Sequence, residues 1–280
     1  MTGMPVLWLA LERVDTMRIQ ESQVASNASR TNQARLRSSL EQLSTGLRIN
    51  RASDDAAGLS LSEGLRQQIR GSQMADSNAN NALAMLQIAD SGSQQMTDAL
   101  GRMRELSIQA ANGTYNANDR KAMDAEYQAL ASEVGAIAQS TSYNGIPLLD
   151  GQSMRFQVGS SSSAADQLSF GGASTPSLST LGGLANQASA QNATSALDDY
   201  LKSVNQMRSS IGSTMNRLSV ASSNLGSFSA SATDAESRIR DTDYATQAME
   251  LARGMILNKS SMAMIAQANQ VPRGVLNLLG

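Results

Sequence analysis

Few residues of this chain could do chemistry, and the most suggestive are acids. Asp54 and Asp55 stand side by side after Ser53. Adjacent carboxylates can bind a metal ion or share acid and base duties, but no third ligand follows nearby. A simpler use fits the same residues: Ser53, Asp54 and Asp55 supply an N-cap and first-turn acids for the next helix. Gly171-Gly172 and Gly182-Gly183 lack the strand–helix context of a phosphate loop. The sequence contains no Cys and no His, which removes thiol chemistry, disulfides, the usual zinc sites and the commonest general base. No catalytic, cofactor-binding or metal-binding residue is assigned, no cofactor is expected, and the chain does not read as an enzyme.

The elements that would position a site are long helices. Leu197, Val204, Ile211, Leu218, Leu225, Ala232 and Ile239 recur every seven residues, with Tyr200, Met207, Thr214, Ala221, Phe228 and Ala235 three residues after each. This is the seam of a coiled coil, and at the rise of an α-helix it spans roughly 65 Å. A first partner runs from Leu59 to about Asn112, with Ala75, Ala79, Ala82, Leu86, Ala89, Ser93, Met96, Leu100 and Met103 alternating steps of four and three. Asn112-Gly113 ends it, Gly113 being the expected left-handed C-cap. A third helix from about Ala117 to Ser140 carries Met123, Tyr127, Leu130, Val134 and Ile137 in the same rhythm and folds back antiparallel on the first.

Other segments differ. About Gln20 to Ile49 is helical with a thin stripe of Val24, Leu36, Leu40, Leu43 and Leu47, too sparse to fold alone. Asn144-Gly145 and Asp150-Gly151 are turn signals, Met154, Phe156 and Val158 alternate as a strand, and Leu168 with Phe170 offer another. The Gly- and Ser-rich stretch up to Leu184 reads as linker or surface loop. Asp241-Thr242-Asp243-Tyr244 marks a joint before a last helix from about Ala245 to Asn269, carrying Met249, Leu251, Ile256, Met262 and Ile265. Pro272 should stop that helix, leaving Val275, Leu276, Leu278 and Leu279 as an apolar tip. Terminal helices that cannot bury themselves in a monomer suit burial between subunits, and a head-to-tail contact of that kind builds a helical filament.

Bulk properties agree with a helical, non-catalytic chain. Its 280 residues are 41% hydrophobic but only 3% aromatic, with 15 Met, so burial must come from aliphatic seams. A net charge of −2 without a basic block points to no nucleic-acid partner. No run approaches the roughly 18 apolar residues of a membrane span. The apolar start Met4-Pro5-Val6-Leu7-Trp8-Leu9-Ala10-Leu11 lacks the basic region and cleavage site of a signal peptide. Absent cysteines suit an exported protein.

With these elements in place, the chain resembles bacterial flagellin. The N-terminal half carries Leu43-Ser44-Thr45-Gly46-Leu47-Arg48-Ile49-Asn50, Asp54-Asp55-Ala56-Ala57-Gly58 and Arg102-Met103-Arg104-Glu105-Leu106-Ser107-Ile108-Gln109-Ala110-Ala111-Asn112-Gly113. The turn Tyr143-Asn144-Gly145-Ile146-Pro147-Leu148-Leu149 follows. The C-terminal half carries Ser237-Arg238-Ile239-Arg240-Asp241-Thr242-Asp243-Tyr244-Ala245 and Ala266-Gln267-Ala268-Asn269-Gln270-Val271-Pro272, closing with Val275-Leu276-Asn277-Leu278-Leu279. The likeness covers roughly residues 20–160 and 190–280. One departure is that the family's opening segment is missing; Met17-Arg18-Ile19-Gln20 would make a natural beginning.

The resemblance implies a mainly α fold: an elongated antiparallel heptad helix bundle with a small β-hairpin region, plus terminal coiled-coil helices. Residues 1–54 with 241–280 would form the inner-tube domain and 55–160 with 190–240 the shell, leaving 161–189 as a reduced variable loop. It implies a self-assembling structural subunit of the extracellular flagellar filament, used for motility and exported by the type III route. Implied partners are other flagellin subunits, an export chaperone at the C-terminal helix, and filament cap and junction proteins. A host Toll-like flagellin receptor is a further implied partner, on a surface carried over as Arg102, Leu106 and Glu126. The alternative within the same apparatus is a hook–filament junction-type adaptor, whose start Met17-Arg18-Ile19 resembles. Gln270-Val271-Pro272 and the Asn144-Gly145 turn argue against it.

Overall fold

The computed structural model describes the backbone of residues 4–161, 163–171 and 181–279, and side chains between residues 23 and 267 apart from 25, 162, 165 and 172–180. The side chains of the apolar start, of Met17-Arg18-Ile19-Gln20 and of the tip Val275–Leu279 thus lie outside the described residues, as does the middle of the variable loop, 172–180. The element order is α1 (Met4–Thr45), α2 (Ala56–Ala111), α3 (Ala117–Ser140), β1 (Ser142–Tyr143), β2 (Ile146–Pro147), β3 (Met154–Gln157), β4 (Gln167–Phe170), α4 (Gln187–Arg240) and α5 (Tyr244–Leu279). The fold is mainly α, as the heptads require. The chain divides into two compact units, residues 67–233 and residues 1–66 with 234–280. No helix of the described residues is long and apolar enough to cross a membrane.

In the unit of residues 67–233, the stripe Ala75–Met103 of α2 is buried at every position the spacing picked out, against the buried Leu197, Tyr200, Val204, Met207, Ile211, Thr214 and Leu218 of α4. The polar contacts beside the seam give its direction. Ser72 bonds the Leu225 carbonyl, Arg208 reaches Asp90 at 3.1 Å, Arg104 reaches Asp198 at 2.6 Å, and Ser107 pairs with Thr194. As numbers rise along α2 their partners fall along α4, so the helices run antiparallel. The alanines of the α2 stripe let the backbones come close.

Helix α3 packs back on α2 as expected. Asn116 caps it: its side chain accepts from Asn118 N and Asp119 N, while Asp119 accepts from Asn116 N. The end of α2 differs from expectation, since Gly113 does not take a positive φ. The Arg120 guanidinium of α3 instead bonds the Ala110 and Asn112 carbonyls, satisfying acceptors a helix terminus leaves open. Turn chemistry at Asn144-Gly145 holds: φ of 49° and 78° closes the two-residue hairpin β1–β2. Strands β3 and β4 pair antiparallel, Met154 opposite Phe170 and Phe156 opposite Leu168.

Three expectations need correction. The stretch up to Leu184 is not all surface loop: Leu181 and Leu184 are buried in the core, where Tyr127 donates to the Leu181 carbonyl at 2.9 Å and Asp124 accepts from Leu184 N. Helix α1 extends from Met4 and stops at Thr45, because Gly46 takes φ +72° and turns the chain. Helix α5 continues through Pro272 to Leu279. Proline's fixed φ is itself helical, so α5 carries it at the cost of one hydrogen bond and a ring clash with the carbonyl four residues back.

Candidate assembly surface

The unit of residues 1–66 with 234–280 is built on a joint and a helical hairpin. At the joint Arg48 N donates to the Arg240 carbonyl at 2.6 Å, Thr242 N donates to the Gly46 carbonyl at 3.0 Å, and Leu47 bridges Asp241 antiparallel. The Arg48 side chain bonds the Ile239 carbonyl, capping α4 from outside. Arg240 and Arg66 converge on Glu63 at 2.9 and 3.2 Å, and Arg66 also reaches Glu236. The Arg240 hydrogen bond, then Arg66, holds the Glu63 carboxyl below the ordinary glutamate range.

The paired carboxylates of this region are occupied by backbone. Asp54 accepts from Asn50 N and Arg51 N, while Asp55 accepts from Gly58 N in the first turn of α2. Asp55 caps α2, Asp54 closes the turn before it, and neither lies inside the first turn as an added acid. Gly58 is needed there, since a Cβ would stand 2.4 Å from Asp55 Oδ2 and 2.8 Å from the buried Ile49. Among the described residues, no three carboxylates come together to hold a metal ion. Asp243 repeats the device at α5, accepting from Ala245 N and Thr246 N and from the Thr246 hydroxyl, and these bonds lower its carboxyl pKa.

Helices α1 and α5 then pack against each other. Asn32 donates to the Gly254 carbonyl at 2.9 Å, and Gln247 donates to Ser39 Oγ at 2.8 Å, fixing an antiparallel pair. The residues turned inward on α5 are Gln247, Leu251, Gly254, Asn258, Ser261 and Ile265, in steps of four and three; on α1 they are Ser29, Asn32, Leu36, Ser39 and Leu43. A Cβ on Gly254 would meet Leu36 at 3.2 Å, so this glycine sets the close approach.

The polarity of this hairpin is inverted. Its inner seam is largely Ser, Asn, Gln and Gly, whereas Val24, Leu40, Met249, Met255, Ile256, Leu257, Met262 and Met264 face outward. Ile256 is 68% exposed and Met249 66%. Contiguous exposed apolar surface on a helix pair marks a contact site. The sequence stripes for these helices therefore mixed two faces: Leu251 and Ile265 turn in, while Met249, Ile256 and Met262 turn out. Sequence reasoning missed the inward polar stripe, although its heptad spacing around Gly254 was there to be counted.

In the bundle unit, the residues carried over as a receptor surface are split. Arg102 forks onto Glu126 at 2.8–2.9 Å and reaches Glu105 at 3.2 Å, and all three are exposed. Glu126, then Glu105, holds the Arg102 guanidinium more firmly protonated. Leu106 is 2% exposed and belongs to the core.

Models of known families match the chain in two stretches, each of which contributes to both units. Residues 18–154 match the family model of the bacterial flagellin N-terminal helical region, and residues 194–279 that of the C-terminal helical region. The chain is 38% identical over 266 residues to the flagellar filament 30.7 kDa core protein of Treponema maltophilum, covering 89% of this chain and 93% of that protein. It is 40% identical over 245 residues to a flagellin of Halalkalibacterium halodurans, covering 86% and 90%. Among solved structures, the flagellin of Bacillus cereus aligns at 31% identity with a TM-score of 0.49, over 53% of this chain and 88% of that one.

Proposed function

The chain belongs to the bacterial flagellin family, and from that premise we propose that the inverted α1–α5 hairpin is the surface through which its subunits polymerise. The protein is a structural subunit of the bacterial flagellar filament, and the hook–filament junction alternative is not favoured. The observation that carries the assembly reading is the outward apolar face beside a polar inner seam. A lone subunit leaves that face in water, and neighbouring copies packed on it remove it.

The finer assignments follow as proposals. Residues 1–54 with 241–280 make the inner tube and 55–160 with 190–240 the shell. The finished protein sits in the extracellular filament, having left the cell by the type III route, and carries out no catalysis. Its α5 engages an export chaperone before assembly, an occupant suited to the same apolar face, and its ends meet cap and junction proteins. A host Toll-like receptor would read Arg102 and Glu126, since Leu106 is packed inside.

Seeded growth followed by electron microscopy tests the assembly reading. Purified subunits added to fragments of native filament should extend them. The double variant Met249→Asp with Ile256→Asp should not, while its bundle keeps its helical circular dichroism. Normal extension by the variant would remove α5 from the assembly surface.

A further inference from the structure

We infer that Met249, Met255, Met262 and Met264 are an oxidation site through which peroxide blocks assembly of the free subunit. This rests on the assembly role of the terminal hairpin proposed above. The chain has no cysteine, so its thioethers are its most readily oxidised groups. The methionines of the bundle seam and those of α5 differ in exposure. Met96 and Met103 are fully buried and Met207 nearly so, in the bundle seam, whereas the four on α5 are 48–68% exposed. All four are exposed like Ile256 and Leu257. Met249 stands one heptad before Ile256 and Met264 one heptad after Leu257, so the thioethers are spread around the part of α5 turned away from its inward stripe. Met255 and Met262 are one heptad apart, so they lie on one line of the helix.

The chemistry is a two-electron oxygen transfer. The sulfur lone pair attacks one oxygen of hydrogen peroxide, and an S–O bond forms as the O–O bond breaks. The proton on the transferred oxygen passes to the departing hydroxide, which leaves as water; sulfur is oxidised and peroxide is reduced. The product exchanges a flexible apolar side chain for a polar one. On a soluble surface that exchange is harmless. On a face that must be dehydrated against another subunit, each buried sulfoxide would need a hydrogen-bond partner the apolar contact does not supply. The buried bundle methionines leave the fold itself intact at the same dose. A dithiol-dependent sulfoxide reductase reverses the change.

The experiment exposes monomeric subunit to hydrogen peroxide, maps sulfoxides by mass spectrometry, and measures extension of native filament fragments. The four α5 methionines should oxidise before Met96, Met103 and Met207, and extension should fall roughly tenfold or more. Reductase treatment should restore it. A variant with all four replaced by Leu should extend equally well before and after peroxide, whereas Met74→Leu, replacing an exposed methionine of the bundle unit, should not protect. Full extension by the oxidised wild type overturns the inference, as does failure of the reductase to restore it. Should the Leu variant itself not assemble, reductase rescue of the wild type decides alone. Untreated subunit that never extends a fragment overturns the assembly reading, and the inference with it.

Discussion

Tyr127 brings its hydroxyl fully inside the bundle and donates it to the Leu181 carbonyl. Burial, reinforced by the nearby Asp124 carboxylate, pushes its pKa up to about 12. A folded pKa above the unfolded value of about 10 means the native state holds this proton more tightly. Its stabilisation is fully present below pH 10 and is lost as pH rises through 12, amounting to about 3 kcal/mol across that window. Tyr127→Phe removes the hydroxyl and strands a buried carbonyl, so it should lower stability at pH 7 by about 1–3 kcal/mol. The same variant should lose less stability than wild type between pH 10 and 12. Urea unfolding of both proteins at pH 7 and 11 checks the two effects together; parallel losses at alkaline pH would free Tyr127 of the role.

At the scale of the element, α4 is one heptad helix with an uneven environment. Leu197 is fully buried between α2 and the helices and strands around it, while Phe228, at an equally regular position, is 42% exposed. Cover on the seam accounts for the difference: Arg102 pairs with Glu126 and Gly92 backs onto Thr141, so α3 accompanies only the C-terminal half of α2. The β3–β4 end reaches further back, Asn78 bonding the Gln157 carbonyl and Gly71 lying close to Ser160. Beyond that point, where Phe228 sits, one flank of the seam is open. Leu197→Ala should therefore cost about 2–5 kcal/mol, and Phe228→Ala well under half of that, read from denaturant midpoints. Equal losses would mean the seam is covered along its whole length. The same comparison shows what was legible beforehand. Periodicity located every helix, because 3.6-residue geometry writes itself directly into spacing. It could not tell an inward from an outward stripe on α5, because apolar residues lie on both sides of that helix, Leu251 and Ile265 inward and Met249, Ile256 and Met262 outward. Nor could it place Leu181 and Leu184 in the core or Leu106 out of reach, since both depend on which long-range neighbour covers them.

At the scale of the whole molecule, the two units differ in what holds each one. The bundle unit buries Leu, Met, Ile and Tyr along its seam and has every means to stand without a partner. The terminal unit closes its hairpin with Asn32, Ser39, Gln247 and the bare backbone of Gly254, contacts of modest net worth in water. Leu36, Leu43, Leu251 and Ile265 turn inward, but more of its large apolar side chains, Met249, Met255, Ile256, Leu257, Met262 and Met264 among them, stay exposed. If neighbouring copies cover this face, as proposed, such a helix pair should open at low free energy in the free subunit and gain stability on assembly. Hydrogen exchange should resolve this directly. In free subunit the amides of residues 23–45 and 244–267 should exchange orders of magnitude faster than those of 75–103 and 197–218. In assembled filaments the two sets should be protected alike. Strong protection of α1 and α5 before assembly would show that their polar seam suffices alone, and that the outward methionines and isoleucine are not what the hairpin waits to bury.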